Sequence, residues 1–228
     1  HHGSFSDVSK EKSLEKINNR LTFSTDNLLK ANILIITFGT AWVYELKETK
    51  KVVANCHKLP EKEFNRRRLS VVEIRDTYTA LIEKLRQYNS NLRIIFPVSP
   101  IRHCKDGAHE NQLSKSTLLL AIAELQERCF NVDYFPAYEI MMDELRDYRF
   151  YEEDMVHPNK MAIDYIWEKF TTVYFNAKTE KTRAEIEQII KAESHKPFNP
   201  DTKEHQDFLK KIEEKKTELK EKYPYLSF

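Results

Sequence analysis

The chain has 228 residues, of which 40% are hydrophobic and 11% aromatic, so it is long and apolar enough to bury a sizeable core. Its formal net charge of +1 provides no overall attraction to nucleic acid or to an anionic membrane, and we expect neither partner. No run approaches the roughly 20 apolar residues of a membrane-spanning helix, and no signal peptide is recognisable.

The cysteines and the first residues bear on where the chain is found and how it starts. Cys56, Cys104 and Cys129 are an odd number in a long chain, which is typical of reduced thiols and not of a disulfide framework. They predict a cytoplasmic location. The chain begins His-His-Gly-Ser without a methionine, so we expect either a tag or a start inside a longer protein.

Strand and helix patterns alternate along most of the chain. In chain order, the sequence predicts helix over 13–30, strand over 32–42, helix over 70–88, strand over 92–100, helix over 111–129, strand over 132–138 and helix over 159–175. The clearest is the helix at 70–88, where Ser70 and Glu73 form a capping box ahead of an apolar stripe. This alternation predicts a three-layer α/β/α sandwich around a parallel sheet, as in flavodoxin-like folds.

Parallel sheets place binding residues at the carboxyl ends of their strands. We therefore expect Gly39, Thr40, Ser99 and the loop that ends at His157 to lie at one edge of the predicted sheet.

The last part of the chain has a different pattern. Residues 179–194 form one charged helix, and the segment HKPFNP ends it. Asp201 and Glu204 are predicted to cap a second helix with weak apolar spacing. We therefore divide the chain into an α/β domain over 1–176 and a C-terminal helical appendage over 177–228.

The stretch DMVHPN, which begins at Asp154, carries the side chains best suited to catalysis. A residue before proline is held extended, and proline is favoured at the first position of a helix, so His157 is predicted to be fixed at a helix N-terminus. The helix dipole there disfavours the imidazolium form, and Asp154 could accept the second ring N–H. From the spacing alone, the alternative is a turn-capping aspartate followed by an ordinary surface histidine.

Several blocks of the sequence resemble a known family. DMVHPN resembles the terminal Asp-x-x-His block of the SGNH hydrolases. Together with it, ITFGTAWVYE, VANCHKLP and PVSPIRHCKDGAHENQLSKSTLL look like the GSCFA domain family over about residues 33–170. The ending KYPYLSF is similar to the usual C-terminus of that family.

The resemblance implies a serine ester hydrolase or acyltransferase without a cofactor, acting on a small-molecule or saccharide acyl ester. His157 would be the general base, and Asp154 would orient it. Gly39, Thr40 and Asn55 would form the oxyanion side of the site.

Three further residues are candidates for contact with the substrate. His57 lies two residues after Asn55 and is grouped with it. Arg102 and His103 belong to a polar loop after a predicted strand, which could bind an anionic or sugar-like substrate or could simply be solvated.

One part of the family pattern is missing. The family is named for a Gly-Ser-Cys-Phe-Ala motif after its first strand, whose serine is the expected nucleophile, and no such motif occurs here. We therefore expect the nucleophile, the first strand and the first helix to lie upstream, and this part alone to be inactive. An apolar surface would then be covered by a second copy or by the upstream segment. Ser99 is a weak substitute because no strand–turn–helix elbow follows it, and Ser114 and Ser116 are interpreted as capping residues.

Two other classes of function stay open. His, Cys and Asp side chains are zinc-type ligands, so a metal-dependent hydrolase is one alternative, although no C-x-x-C or H-x-x-x-H pair is present. A catalytically inactive binding module is the other.

Overall fold

A computed structural model describes residues 3–54, 56, 58–194 and 202–226. The chain divides into two compact units, His1–Ile166 and Trp167–Phe228. Every helix in the described residues falls short of the length or the apolar character needed to traverse a lipid bilayer.

The first unit contains all of the strands that the structure describes and most of the helices. The strands are β1 (Ile33–Ile35), β2 (Trp42–Leu46), β3 (Val52–Val53), β4 (Phe64–Arg68), β5 (Arg93–Pro97) and β6 (Val132–Phe135). The helices of the chain are α1 (Lys10–Lys30), α2 (Val71–Tyr88), α3 (Ala108–Arg128), α4 (Ala137–Glu139), α5 (Lys160–Tyr174), α6 (Ala177–Ser194) and α7 (Lys203–Lys222). A π-helical segment, Ile140–Glu144, follows α4 directly.

A parallel sheet is the centre of the first unit. Its strands have the order β1-β5-β6, and both pairs are parallel. A bridge between Phe38 and Val98 continues the pairing beyond the ends of β1 and β5. The middle strand β5 is buried from Ile94 to Pro97, as expected for a strand with neighbours on both sides.

One face of this sheet packs on α2 and α3 and forms the main core. The buried residues of this core are apolar and come from β5, β6, the segments that flank β5 and the two helices, and the partly buried Leu34 of β1 packs against them. They include Ile74, Ile82, Leu92, Ile94, Phe96, Val98, Leu118, Ile122, Leu125 and Val132. The mixed α/β class, the parallel sheet and the helical C-terminus are therefore confirmed. The three-layer arrangement stays a prediction.

A second, antiparallel sheet was not among the predictions. It has the order β3-β2-β4. The predicted strand over 32–42 is wrong in its extent, because β1 ends at Ile35 and Trp42 begins β2 in the other sheet. The turn between them is stabilised by a residue far along the chain, since the Ala41 N–H donates to Ser114 Oγ at 2.7 Å. An apolar run in the sequence carries no sign of such a contact.

The strand β4 was not predicted, because its sequence FNRRR is too charged to match the pattern of a strand. The Arg66 guanidinium lies 4.5 Å from the centre of the Trp42 ring and 5.7 Å from that of Tyr44. Arg67 pairs with Glu45 at 3.1 Å. Stacking on aromatic faces and pairing with a carboxylate compensate the arginines, so a strongly basic segment is stable as a strand beside β2.

The predicted capping box of α2 is confirmed. The Ser70 hydroxyl accepts from the Glu73 N–H at 3.2 Å, and the Glu73 carboxylate accepts from the Ser70 N–H at 2.8 Å. Two otherwise unpaired N–H groups at the helix start are thereby satisfied.

Replacing Ser70 with alanine is expected to lower the free energy of unfolding by about 1 kcal/mol, because the Glu73 N–H loses its acceptor. Urea denaturation followed by circular dichroism measures the change. Ser90→Ala, at an exposed turn position, is the matched control and is expected to change stability by less than about 0.5 kcal/mol. Equal losses in the two variants would contradict the capping argument.

The helix α5 begins two residues later than the position predicted from the proline. Asn159 precedes its first residue, and Asn159 Oδ1 accepts from the Ala162 N–H at 3.2 Å. Pro158 instead pairs with Tyr151 in an extended bridge. The expectation that Pro158 is the first helical residue is therefore wrong, because an asparagine side chain supplies the cap one residue later.

The second unit contains the helices α6 and α7. Ile189 of α6 and Ile212 and Leu219 of α7 form a buried apolar cluster. The N-cap of α7 is Thr202, whose hydroxyl accepts from the His205 N–H at 3.3 Å. The predicted capping by Asp201 and Glu204 stays a prediction, because Asp201 and the side chain of Glu204 lie outside what the structure describes. The predicted domain boundary at residues 176 and 177 stays a prediction.

Large apolar side chains remain exposed in the first unit. Ile33 and Ile35 on β1, an edge strand of the described sheet, are about half exposed, as are Met161 and Ile163 on α5. Covering of this surface by a second copy or by an upstream segment stays a prediction.

Candidate functional site

A tight loop presents Asp154 and His157. Its two ends are joined by the bridge between Tyr151 and Pro158 and by the Glu152 N–H, which donates to the His157 carbonyl at 2.8 Å. Met155 at the tip has a φ of 58°, in the left-handed region that side chains other than glycine adopt rarely. The loop geometry is therefore set by its own backbone bonds, next to the start of α5.

The Asp154 carboxylate organises this loop. Its Oδ1 accepts from the N–H groups of Val156 at 2.8 Å and His157 at 2.9 Å, and its Oδ2 lies 2.5 Å from His157 Nδ1. These bonds, led by the one from the His157 N–H, lower the pKa of Asp154 to about 2. The carboxylate is thus ionised at neutral pH and accepts the Nδ1 proton, which leaves Nε2 as the unprotonated nitrogen of the neutral ring.

The ring of His157 is open to solvent. Its side chain is 55% exposed and that of Asp154 is 50% exposed. Among the described residues, no hydrogen-bond partner is found for His157 Nε2. The His157 imidazole is therefore accessible to a small molecule from solvent.

A second polar group lies where β1 and β5 end. Gly39 and Thr40, two of the predicted oxyanion residues, form the turn that follows the Phe38–Val98 bridge. Thr40 Oγ1 lies 3.0 Å from Ser114 Oγ, and the Ser114 hydroxyl also accepts from the Ala41 N–H. The interpretation of Ser114 and Ser116 as capping residues is wrong, because α3 begins at Ala108 and both serines lie inside it.

Lys115 was not identified from the sequence, and it is the most unusual residue of this group. Its side chain is completely buried, and Nζ donates to the carbonyls of Gly39 at 2.7 Å and Ser99 at 2.6 Å. Nζ also lies 5.7 Å from the centre of the Tyr138 ring. Desolvation lowers the pKa of Lys115 to about 8.

A signal for the burial of Lys115 is present in the sequence. It lies on the core-facing stripe of α3, which repeats at alternating spacings of four and three residues: Asn111, Lys115, Leu118, Ile122 and Leu125, all buried. A lysine on such a stripe needs an internal partner for its charge. Its position in the stripe therefore marks it as a candidate functional residue, which the residue type alone does not.

His103 and Arg102 lie in the loop after β5. The His103 imidazole is close to Gly39, since a Cβ built on Gly39 would meet His103 Nε2 at 3.7 Å. Burial, and then the charge of Lys115, lower the pKa of His103. The Arg102 guanidinium is 5.9 Å from the ring centre of Tyr151, which pairs with the residue after His157. Arg102 therefore approaches the loop of Asp154 and His157 from the β5 side.

The predicted site residues thus fall into two described groups. Gly39, Thr40 and His103 gather around the start of α3, and Asp154 and His157 form a contacting pair. Arg102 follows β5 next to His103 and contacts Tyr151 and Met142. The other two candidates, Asn55 and His57, lie outside the described residues.

The cysteines and possible metal ligands do not converge in the part of the chain that the structure describes. Cys56, Cys104 and Cys129 are free thiols. Within those described ranges, no group of three or more His, Cys, Asp or Glu side chains has the proximity needed to hold a metal ion. The metal-dependent alternative therefore gains no support from these residues.

Together, these features define a mixed α/β protein with a buried lysine at the end of a small parallel sheet and an exposed His–Asp pair ahead of α5. The model of the GSCFA family matches residues 1–170, and that of the GSCFA domain protein C-terminal domain matches residues 186–228. The chain therefore belongs to the GSCFA family. No curated protein matches it.

Proposed function

We propose that this protein is a serine ester hydrolase or acyltransferase of the SGNH type, acting on a small-molecule or saccharide acyl ester. The observation that carries the proposal is the Asp154–His157 pair, with Oδ2 and Nδ1 at 2.5 Å and a His157 side chain that is 55% exposed. An ionised carboxylate that fixes the ring tautomer is the arrangement by which a histidine deprotonates a serine hydroxyl.

In this mechanism, His157 takes the proton of the nucleophile and then returns it to the leaving alcohol. Asp154 holds the ring and stabilises the imidazolium that forms in between. The Gly39–Thr40 turn would supply hydrogen bonds to the negatively charged oxygen of the tetrahedral intermediate.

The nucleophile is assigned to a serine upstream of this chain. The described hydroxyls at the sheet edge have other roles: Ser99 Oγ accepts from the Ile101 N–H at 3.3 Å, and Ser114 is buried against the Gly39 turn. Neither is hydrogen-bonded to His157 among the described contacts. The Gly-Ser-Cys-Phe-Ala motif after which the family is named is the expected source of the serine.

Replacing Asp154 with asparagine tests the orienting role. The amide oxygen can still accept from the Val156 and His157 N–H groups, but the amide nitrogen then donates to Nδ1 and moves the ring proton to Nε2. We expect kcat for hydrolysis of p-nitrophenyl acetate by the gene product with its natural N-terminus to fall by roughly 10²–10⁴.

Asp147→Asn is the matched control, because Asp147 is an exposed aspartate that caps the neighbouring turn by accepting from the Arg149 N–H. It is expected to keep wild-type kcat. Wild-type activity in Asp154→Asn would refute the orienting role.

A further inference from the structure

Within the part of the chain that the structure describes, the buried charge of Lys115 has backbone carbonyls as its hydrogen-bond partners and no carboxylate. Among the described residues, no Asp or Glu side chain lies within ion-pair distance of Nζ, and its two hydrogen-bond acceptors are both backbone carbonyls. Taking an ammonium group out of water without a counter-ion is costly, and a leucine or methionine would fill the same space without that cost. The charge therefore has a use that packing does not explain.

The two carbonyls belong to the ends of adjacent parallel strands. Gly39 follows the last pairing of β1, and Ser99 follows that of β5. One ammonium group thus ties together both turns at the edge of the sheet where parallel α/β proteins bind their ligands. Ser114, which precedes Lys115 on α3, contacts the Gly39–Thr40 turn through the Ala41 N–H and the Thr40 hydroxyl.

The Gly39 carbonyl and the Thr40 N–H belong to the same peptide group. The peptide is trans, so the N–H points opposite to the carbonyl. Because that carbonyl faces Lys115 on α3, the Thr40 N–H faces away from α3. No acceptor for this N–H is found among the described residues.

A charged donor on a carbonyl oxygen polarises the whole peptide. Hydrogen bonds from ionised groups are about twice as strong as neutral ones, and chains of hydrogen bonds strengthen one another. The Thr40 hydroxyl is already engaged, because it lies against Ser114 and accepts from the Trp42 N–H at 3.2 Å. The backbone N–H of Thr40 has no such partner among the described residues, so it is available as a donor.

We infer that Lys115 is a positioning residue: it fixes and polarises the Gly39–Thr40 peptide so that the Thr40 N–H donates to the oxyanion of the reaction. This inference rests on the proposed ester chemistry for its last step, whereas the polarised peptide itself can be detected without a substrate.

The first experiment follows the Gly39 carbonyl ¹³C and Thr40 amide ¹⁵N resonances of the labelled chain as the pH is raised. We expect both to move together in one step centred near pH 8, where Lys115 loses its proton. Lys115→Met should abolish the step. Lys84→Met, at an exposed position of α2, should retain it.

Two results would overturn the inference. One is resonances of Gly39 and Thr40 that do not move near pH 8 in the wild-type chain; the other is a step that persists in Lys115→Met. The wild-type titration needs no variant, so the test remains decisive if Lys115→Met does not fold. Among the described residues, His103 is also close to Gly39, and the Tyr138 ring faces Lys115 Nζ. The lowered pKa of His103 and the raised pKa of Tyr138 place their steps below and above that of Lys115.

The second experiment measures p-nitrophenyl acetate hydrolysis by the gene product with its natural N-terminus. Lys115→Met is expected to lower kcat by about tenfold or more with KM unchanged, because the oxyanion donor acts in the transition state. Unchanged kcat in this variant would overturn the inference and leave the proposed function intact. A pH step without any ester turnover in the wild type would instead remove the proposed function, and with it the oxyanion role.

Discussion

Replacing His157 with alanine is expected to reduce kcat for p-nitrophenyl acetate by about 10²–10⁴, the usual contribution of a general base. The fold should be unaffected, because the side chain is 55% exposed and the backbone bond from Glu152 to the His157 carbonyl does not depend on the imidazole. Steady-state kinetics of the gene product with its natural N-terminus measure the loss, and circular dichroism confirms the fold.

The control for this variant is His205→Ala in the second unit, at the start of α7. It removes an imidazole elsewhere in the chain and is expected to leave kcat unchanged. Full turnover in His157→Ala would show that another group is the base. Absence of turnover in the wild type towards every short acyl ester would favour the inactive binding module.

Replacing Phe96 with alanine is expected to lower the free energy of unfolding by about 3–5 kcal/mol, the range for large-to-small changes of a buried phenylalanine. Phe96 lies in the middle of β5 with no exposed surface, and its ring centre is 5.1 Å from that of Phe38 and 5.8 Å from that of Tyr78. The variant leaves a cavity where the sheet meets α2. Urea denaturation monitored by fluorescence and circular dichroism measures the loss.

Phe130→Ala is the matched control, because this phenylalanine is 79% exposed after α3. Its effect on stability is expected to stay within about 0.5 kcal/mol. A loss below about 1 kcal/mol for Phe96→Ala would mean that the ring cluster does not support the core as the packing indicates.

Features that depend on neighbours in the sequence could be predicted from it. The capping box of α2 joins residues three apart, and the apolar strands β5 and β6 are recognisable from their composition and their flanking helices. The contact between Asp154 and His157 also joins residues three apart within one loop. In each case the partners are close along the chain, so their types and spacing carry the information.

Other features depend on partners far along the chain, and these could not be predicted. Arg66 of β4 stacks on Trp42, 24 positions earlier in the chain, and the turn after β1 is bonded to α3 through the Ala41 N–H and Ser114. The start of α5 is a local feature, since Asn159 caps the helix and α5 begins at Lys160, two residues after Pro158.

The sequence by itself indicated the long helices, the strands β5 and β6 and the Asp–His pair, because local periodicity and short-range hydrogen bonds specify them. Only the tertiary structure decided which polar groups meet at the end of the sheet. Lys115 is 76 residues from Gly39 and 16 from Ser99, and it reaches both carbonyls because β1, β5 and α3 pack together. The residue type does not determine burial. Because Lys115 is buried, its ammonium group bonds to the backbone at the end of the parallel sheet instead of to water.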